Sequence, residues 1–181
     1  MAEPVSRPVP VPKARRSSVR TGLEPLETPG ELSPTLAGAD PSGKPLKVLC
    51  TGDRHWTDAE IVRSALSRLS EGTIIVHGDD GNAEATEGLD RMAGRAAQSL
   101  GLEVRPYPAD WRRYGRPAGP IRNSQMLDSE HPDLVYAFHD KLFVSKGTRD
   151  MVSKALRAKI TVVLFNHEFP LGMELKGVPM V

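Results

Sequence analysis

The 181-residue chain has little cysteine, little net charge and no long apolar run, and each shortage excludes a class of protein. Its single cysteine, Cys50, excludes an internal disulfide and a zinc site built from thiolates. The 24 basic and 23 acidic residues nearly cancel, so the net charge gives no whole-chain argument for nucleic-acid binding. No stretch approaches the roughly 20 apolar residues that cross a bilayer, and the N-terminus lacks the apolar core of a secretory signal. We therefore expect a cytoplasmic protein without a membrane segment, and we predict no cofactor.

Prolines crowd the part of the chain before Lys47, where they interrupt every candidate helix or strand. Few large apolar side chains lie between them, so ordering this segment costs more conformational entropy than burial returns. The alternating prolines of residues 8–12 favour an extended polyproline II segment, which serves as a tether or docks to a partner. We predict a disordered proline-rich arm over residues 1–45, a folded domain over 46–166 and a C-terminal tail over 167–181.

From Lys47 onward, short apolar runs alternate with amphipathic segments. The apolar runs predict five strands, over residues 46–52, 73–78, 102–107, 133–138 and 160–165. The amphipathic segments predict four helices: one opened by a capping box at Thr57 and Glu60 and ended by Gly72, then 85–100, 118–128 and 147–158. Pro106 favours an edge position for the third strand. This alternation predicts an α/β, Rossmann-like three-layer fold whose five-stranded parallel sheet has right-handed crossovers.

In an open parallel sheet, ligands bind beyond the carboxyl ends of the strands. The segments that follow the predicted strands are residues 51–54, 77–81, 107–122 and 138–148. Glycines in these segments let a ligand approach the backbone, and the helices that follow offer unpaired N–H groups to a phosphate. Such features recur in many α/β proteins, so the identity of the ligand class depends on more specific residues.

Five motifs supply that specificity and come in one order along the chain. They are Thr51-Gly52-x-Arg54-x-Trp56, Val76-His77-Gly78, Pro108-Ala109-Asp110-Trp111, the stretch Ala118–Leu127, and Gly147-Thr148-x-Asp150-Met151. Together they resemble the YspA/cpYpsA-related branch of the SLOG superfamily over roughly Lys47 to Phe165, most specifically in the Ala118–Leu127 stretch. SLOG domains are Rossmann-like and bind nucleotides or nucleotide-derived signals. The resemblance therefore implies a domain that binds a nucleotide-derived small molecule.

The strand ends and the resemblance together predict one set of ligand-binding residues. They are Gly52, Asp53, Arg54, His77, Gly78, Arg122, Asn123, Gly147 and Thr148. The run from Arg122 to Met126 is similar to the Arg-Lys-x-x-Met motif of the LOG phosphoribohydrolases, whose arginine contacts phosphate and ribose. An arginine near a helix start also suits bidentate phosphate binding. We predict that Arg122 binds a ligand phosphate, and an exposed salt bridge is the alternative.

The resemblance to the LOG enzymes fails at their catalytic glutamate. Of their Pro-Gly-Gly-x-Gly-Thr-x-x-Glu motif only Gly147-Thr148 survives, and Met151 stands in the place of the glutamate. Methionine cannot transfer a proton, so a sensor or binding domain is favoured and no catalytic residue is assigned. The enzymatic alternative is a LOG-like nucleotide N-glycosidic hydrolase that uses another acid, such as Asp53 or Asp90. Asp150 is interpreted as a first-turn acid favoured by the helix dipole.

Three further alternatives stay open. Trp111 and Tyr114, beside several arginines, form a mixture typical of nucleic-acid surfaces, so a DNA-binding or DNA-processing accessory protein is one alternative, although packing of a long loop is favoured. Asp79, Asp80, Asn82 and Glu84 lack EF-hand spacing, so a solvated acidic loop is favoured over a metal site. LOG-like relatives are often dimers, so the resemblance also leaves a homodimer open.

Overall fold

The computed structural model of the chain describes residues 43–79 and 88–176, which form one sheet flanked by helices. The strands are β1 Lys47–Gly52, β2 Ile74–Asp79, β3 Glu103–Pro108, β4 Leu134–Phe138, β5 Thr161–Phe165 and β6 Met173–Glu174. The helices are α1 Ala59–Leu66, α2 Leu89–Ser99, α3 Trp111–Tyr114, α4 Ala118–Glu130 and α5 Gly147–Arg157. A 3₁₀ turn at Leu142–Val144 precedes α5.

The strands lie in the order β3-β2-β1-β4-β5-β6, and the first five in chain order are parallel. The chain proceeds outward from β1 to β3 and then restarts at β4 on the other side of β1. Strand order therefore reverses between β1 and β4, which we call the reversal point. The predicted Rossmann-like α/β architecture is confirmed, and ligands of such sheets bind at the reversal point, beyond the carboxyl ends of the strands.

Across the described residues the sheet has six strands, which are the five parallel strands predicted from the sequence and one more. The additional strand, β6, lies in the segment predicted as a tail and pairs antiparallel with β5 through Val163–Glu174 and Leu164–Met173. Two residues are too few to show strand periodicity in a sequence. At the opposite side of the sheet β3 is an edge strand, as the proline at position 106 predicted.

Two apolar clusters fill the spaces between the sheet and the helices. One contains Val48, Cys50 and Ile75 with the buried faces of α1 and α2, and the other contains Leu49, Val76 and the buried faces of α4 and α5. Successive side chains of a strand point to opposite faces, so the two clusters use alternate positions. Burial raises the pKa of the Cys50 thiol, as expected for an unreactive core residue.

The first helix begins and ends at residues other than those predicted. Its N-cap is Asp58, whose Oδ1 accepts hydrogen bonds at 3.0 Å from two backbone N–H groups of the first turn. The capping box predicted for Thr57 is therefore wrong, because the neighbouring carboxylate takes these N–H groups instead. The helix also ends at Leu66, well before Gly72, which has a φ of +81° in the turn that leads to β2.

The helices after β2 and β3 also differ from expectation. α2 begins at Leu89 because Gly88 is extended, with φ −115° and ψ 179°, so the predicted start at 85 was too early. The predicted loop after β3 contains the short helix α3, where Asp110 Oδ1 accepts a hydrogen bond of 3.0 Å from Arg113 N.

Parts of three predictions lie outside the described residues: most of the arm over 1–45, residues Asp80, Asn82 and Glu84 of the predicted acidic loop, and the tail beyond 176. Across the described ranges, no helix is both long and apolar enough to cross a bilayer.

Candidate ligand site at the carboxyl ends of the strands

Arg122 extends from α4 onto the end of β2. Its Nη1 donates to the carbonyl oxygen of Tyr107 at 3.3 Å and lies 3.7 Å from Oδ2 of Asp90 on α2. The side chain is only 16% exposed, and its Nε is buried without a hydrogen-bond partner among the described residues. A guanidinium stays charged, and a buried donor without an acceptor is costly. Arg122 is therefore a largely buried cation with unused hydrogen-bonding capacity.

Gly78 leaves the space that this guanidinium occupies. A Cβ built on Gly78 would overlap the Arg122 guanidinium and lie 2.6 Å from Asp90 Oδ2. We predicted that the glycine lets a ligand approach the backbone. In the structure the groups nearest to Gly78 are the Arg122 guanidinium and the Asp90 carboxylate, so the absence of a Cβ at this position leaves room for Arg122.

The space beside Gly52, at the end of β1, is also occupied by other groups of the protein. A Cβ there would overlap the side chain of Leu89 and lie 2.6 Å from the carbonyl oxygen of Phe138. The first N–H group of α2, at Leu89, donates to the carbonyl of Asp53 at 3.1 Å. Gly52 thus allows α2 to dock against β1 and does not present open backbone.

Arg54 lies in the turn after β1 with an exposed side chain. Its backbone is covered by Gly88, where a Cβ would come 2.9 Å from Arg54 Cα. Arg54 therefore lies beside the start of α2, and its side chain is exposed.

Asp53 and His139 face each other across the reversal point. Asp53 follows β1 and His139 follows β4, and the Oδ2 of Asp53 lies 3.9 Å from the Nε2 of His139. The His139 Nδ1 accepts a hydrogen bond of 2.9 Å from the backbone N–H of Lys141. Burial lowers the pKa of His139, while Asp53 and Asp140 oppose that change. Because Nδ1 accepts the Lys141 N–H, it carries no proton, and the ring faces Asp53 with its proton on Nε2. Sequence reasoning did not single out His139, although its position directly after a predicted strand was a usable signal.

His77 does not join these residues. It points to the opposite face of the sheet from Gly78, and a Cβ built on Gly94 of α2 would lie 2.8 Å from its Nε2. Its Nδ1 donates to the carbonyl of Gly78 at 2.6 Å, and burial lowers its pKa. His77 therefore packs beneath α2.

The remaining predicted residues join α4 to the start of α5. The amide Nδ2 of Asn123 donates to Asp150 Oδ2 at 3.0 Å and to the Gly147 carbonyl at 3.3 Å. Thr148 is buried, and its N–H donates to Ser145 Oγ at 3.2 Å. A Cβ on Gly147 would meet no atom within 4 Å, so this residue alone of the three faces open space.

Comparison with known proteins identifies the family to which this sequence is similar. Residues 46–114 match a family model described as YspA, cpYpsA-related SLOG family. The Gene 61 protein of Mycobacterium phage D29 is 37% identical over 131 residues, which cover 67% of this chain and 98% of the relative. The chain belongs to the YspA, cpYpsA-related SLOG family.

In this SLOG chain, the position of the LOG glutamate lies inside the core. Met151 is fully buried in the cluster between the sheet and α5. Its neighbour Asp150, in the first turn of α5, accepts hydrogen bonds from Asn123 and from Lys154 Nζ, the latter at 2.8 Å. Met151 therefore packs in the core, and Asp150 connects α5 to α4 through its hydrogen bond with Asn123.

A second surface of the SLOG domain surrounds α3. Trp111 is 42% exposed and Tyr114 is 39% exposed, and the guanidinium of Arg113 lies 5.0 Å from the centroid of the Tyr114 ring. Beside them is an open groove of about 640 Å³, lined by Arg116, Pro117, Pro120, Ile121, Ser124 and Lys154. Within the described ranges, no group of three or more His, Cys, Asp or Glu side chains is arranged to hold a metal ion.

Proposed function

We propose that this SLOG domain binds a phosphate-bearing nucleotide or nucleotide-derived small molecule at the carboxyl ends of the strands, as a sensor or binding domain without turnover. The observation that carries the proposal is Arg122. Its guanidinium is largely buried, its protein contacts of 3.3 and 3.7 Å are long, and its Nε has no partner among the described residues. A phosphate supplies the charged acceptors that this guanidinium lacks.

The surroundings of Arg122 suit the same ligand. The first turn of α5 begins at Gly147, which faces open space, and Asn123, the residue after Arg122, donates a hydrogen bond to the Gly147 carbonyl. Helix N-termini carry a partial positive charge and favour anions. In this proposal Arg122 and the start of α5 hold the phosphate, with Thr148 supporting that turn. Arg54 and Asp53 line the end of β1.

Met151 supports binding over LOG-type hydrolysis, because a buried thioether occupies the position of the catalytic glutamate. The hydrolytic alternative needs another acid. Of the two acids named above, Asp90 lies against Arg122, so the hydrolytic alternative would use Asp53, which faces His139.

Isothermal titration of the full chain with AMP, ADP-ribose, NAD, cyclic nucleotides and ribose 5-phosphate tests the proposal. Charged hydrogen bonds are worth about 1.5–3 kcal/mol, so Arg122→Gln should weaken phosphate-ligand affinity about tenfold to a hundredfold. Arg157→Gln, on an exposed arginine at the end of α5, is the matched control and should bind as the wild type does.

Failure of the wild type to bind any of these probes, or equal affinity in Arg122→Gln, would contradict the proposal. Chromatography of the same mixtures detects hydrolysis, and release of free base would favour the hydrolase.

Nucleic-acid binding is a second candidate because α3 exposes an indole and a phenol ring beside arginines. DNA binding that falls steeply with salt and is lost in Trp111→Ala would favour it, whereas absence of binding at low salt would remove it.

A further inference from the structure

The carboxylate of Asp53 is held in one orientation at the reversal point. Its Oδ1 accepts a hydrogen bond of 3.0 Å from the backbone N–H of His55, and its Oδ2 faces His139. The N–H of Asp53 donates to the Phe138 carbonyl at 3.0 Å, which fixes the end of β1 relative to the end of β4. The side chain is still 36% exposed, so a ligand has access to it.

The orientation of the His139 ring is also fixed by a hydrogen bond from the backbone. The backbone N–H of Lys141 donates to its Nδ1 at 2.9 Å, so the proton of the neutral ring is on Nε2. That Nε2–H lies 3.9 Å from Asp53 Oδ2, which is too far for a direct hydrogen bond. The pair therefore presents one donor and one acceptor with a gap between them.

A hydroxyl group matches this gap, because it can accept from Nε2–H and donate to the carboxylate together. A phosphate does not match, because it repels the Asp53 carboxylate. Neighbouring strands are about 4.8 Å apart, and β1 lies directly beside β2, whose end holds Arg122. In a nucleotide, the group closest to the phosphate is the sugar.

We propose that Asp53 and His139 together bind a ribose hydroxyl, with His139 donating and Asp53 accepting, so that the site selects ribonucleotides over deoxyribonucleotides. This inference rests on the proposed function, since it assigns the sugar of the same ligand whose phosphate contacts Arg122.

The test compares AMP with 2′-deoxy-AMP and 3′-deoxy-AMP on the full chain. A lost hydrogen bond of this kind costs about tenfold in affinity, so the wild type should bind AMP about tenfold more tightly than one of the deoxy analogues. Asp53→Ala should bind AMP only as well as that analogue, with no change for the analogue itself.

Two substitutions of His139 separate ligand contact from folding. In His139→Asn the side-chain oxygen can still accept from Lys141 N–H, but the donor at Nε2 is lost, so discrimination should disappear while the unfolding temperature is kept. In His139→Gln an amide N–H reaches the Nε2 position, so discrimination should largely return.

Equal binding of AMP and both deoxy analogues by the wild type would overturn the inference while leaving the proposed function in place. So would an equal loss of all three in Asp53→Ala, or discrimination against IMP instead, which would put a base amine at Asp53. Absence of all nucleotide binding by the wild type would overturn the proposed function and this inference with it.

Discussion

Helix α4 buries a charged side chain near each end, and the protein surrounds the two very differently. At the C-terminal end, Glu130 is 7% exposed and accepts hydrogen bonds from Lys47 Nζ at 2.9 Å, Arg105 Nη1 at 2.9 Å and Tyr107 Oη at 2.7 Å. Near the N-terminal end, Arg122 has contacts of 3.3 and 3.7 Å, and its Nε lacks a partner among the described residues.

The difference separates a structural charge from a binding charge. A buried polar network with every group satisfied makes the fold rigid, whereas a buried group left short of partners is rare in native proteins and calls for an explanation. Local rules are most often broken at functional sites. We therefore assign Glu130 to stability and Arg122 to the ligand.

Removing the charge at Glu130 should give the largest loss of stability. Glu130→Gln leaves Lys47 without its carboxylate partner, while Arg105 keeps its ion pair with Glu103, and breaking a buried ion pair costs about 3 kcal/mol. Chemical denaturation measures this loss. Nucleotide affinity of the folded fraction should not change, and Asp128→Asn, on an exposed acid of the same helix, should alter neither quantity. If Glu130→Gln lowered nucleotide affinity without lowering stability, the assignment of Glu130 to stability would be wrong.

Low pH should also remove the stability that the Glu130 carboxylate contributes. Burial alone would raise the pKa of Glu130, but hydrogen bonds from Lys47, Tyr107 and Arg105 outweigh it and hold the pKa at about 2, below the ordinary 4.5. The folded state thus binds this proton less readily than the unfolded state. The contribution is complete above about pH 5 and is lost as the pH falls towards about 2. The stability difference between wild type and Glu130→Gln should shrink over that window; a constant difference would contradict this account.

A methyl group at Gly78 should displace Arg122 and weaken nucleotide binding, without affecting the contacts of Glu130. Gly78→Ala would push the Arg122 guanidinium and the Asp90 carboxylate apart, and both are ends of flexible side chains. We expect nucleotide affinity to fall about tenfold, which is about 1.4 kcal/mol, with a smaller change in unfolding free energy. Gly119→Ala is the matched control, because its added methyl would only reach ordinary contact with Trp111 at 3.5 Å. Unchanged affinity in Gly78→Ala would show that the position of Arg122 does not matter.

Tyr107 contacts both Glu130 and Arg122, through different atoms. Its hydroxyl donates to Glu130, whereas its backbone carbonyl accepts from Arg122. Tyr107→Phe removes only the first contact, so it should lower the unfolding free energy by about 1 kcal/mol and leave nucleotide affinity unchanged. A loss of nucleotide affinity in Tyr107→Phe would mean that the contacts of Glu130 influence ligand binding at Arg122.

The sheet was predictable because its strands are short apolar runs separated by helical segments, and the edge position of β3 was predictable from Pro106. The N-cap was misassigned because Thr57 and Asp58 are adjacent and both suit a cap, and only the backbone geometry separates them. The two-residue β6 has no periodicity to detect.

The site was harder to predict than the fold. Arg122 was found from its motif, but its contact with Asp90 over Gly78 depends on how α2 and α4 pack at the end of β2. The facing of Asp53 and His139 depends on the pairing of β1 with β4, and strand order does not follow from the order of strands along the chain.

Thermal unfolding of wild type and Arg122→Gln, with and without AMP, tests the central claim most directly. We predict that without ligand the two proteins differ in stability by less than about 1 kcal/mol, because Arg122 makes only long contacts. With AMP at about 100 times the wild-type dissociation constant, the wild type should gain about 2.7 kcal/mol, and the variant, which binds tenfold to a hundredfold more weakly, should gain only about 0.4–1.4 kcal/mol. If the ligand-free variant were instead as unstable as Glu130→Gln, and AMP stabilised both proteins equally, Arg122 would be a structural residue and the account would be contradicted.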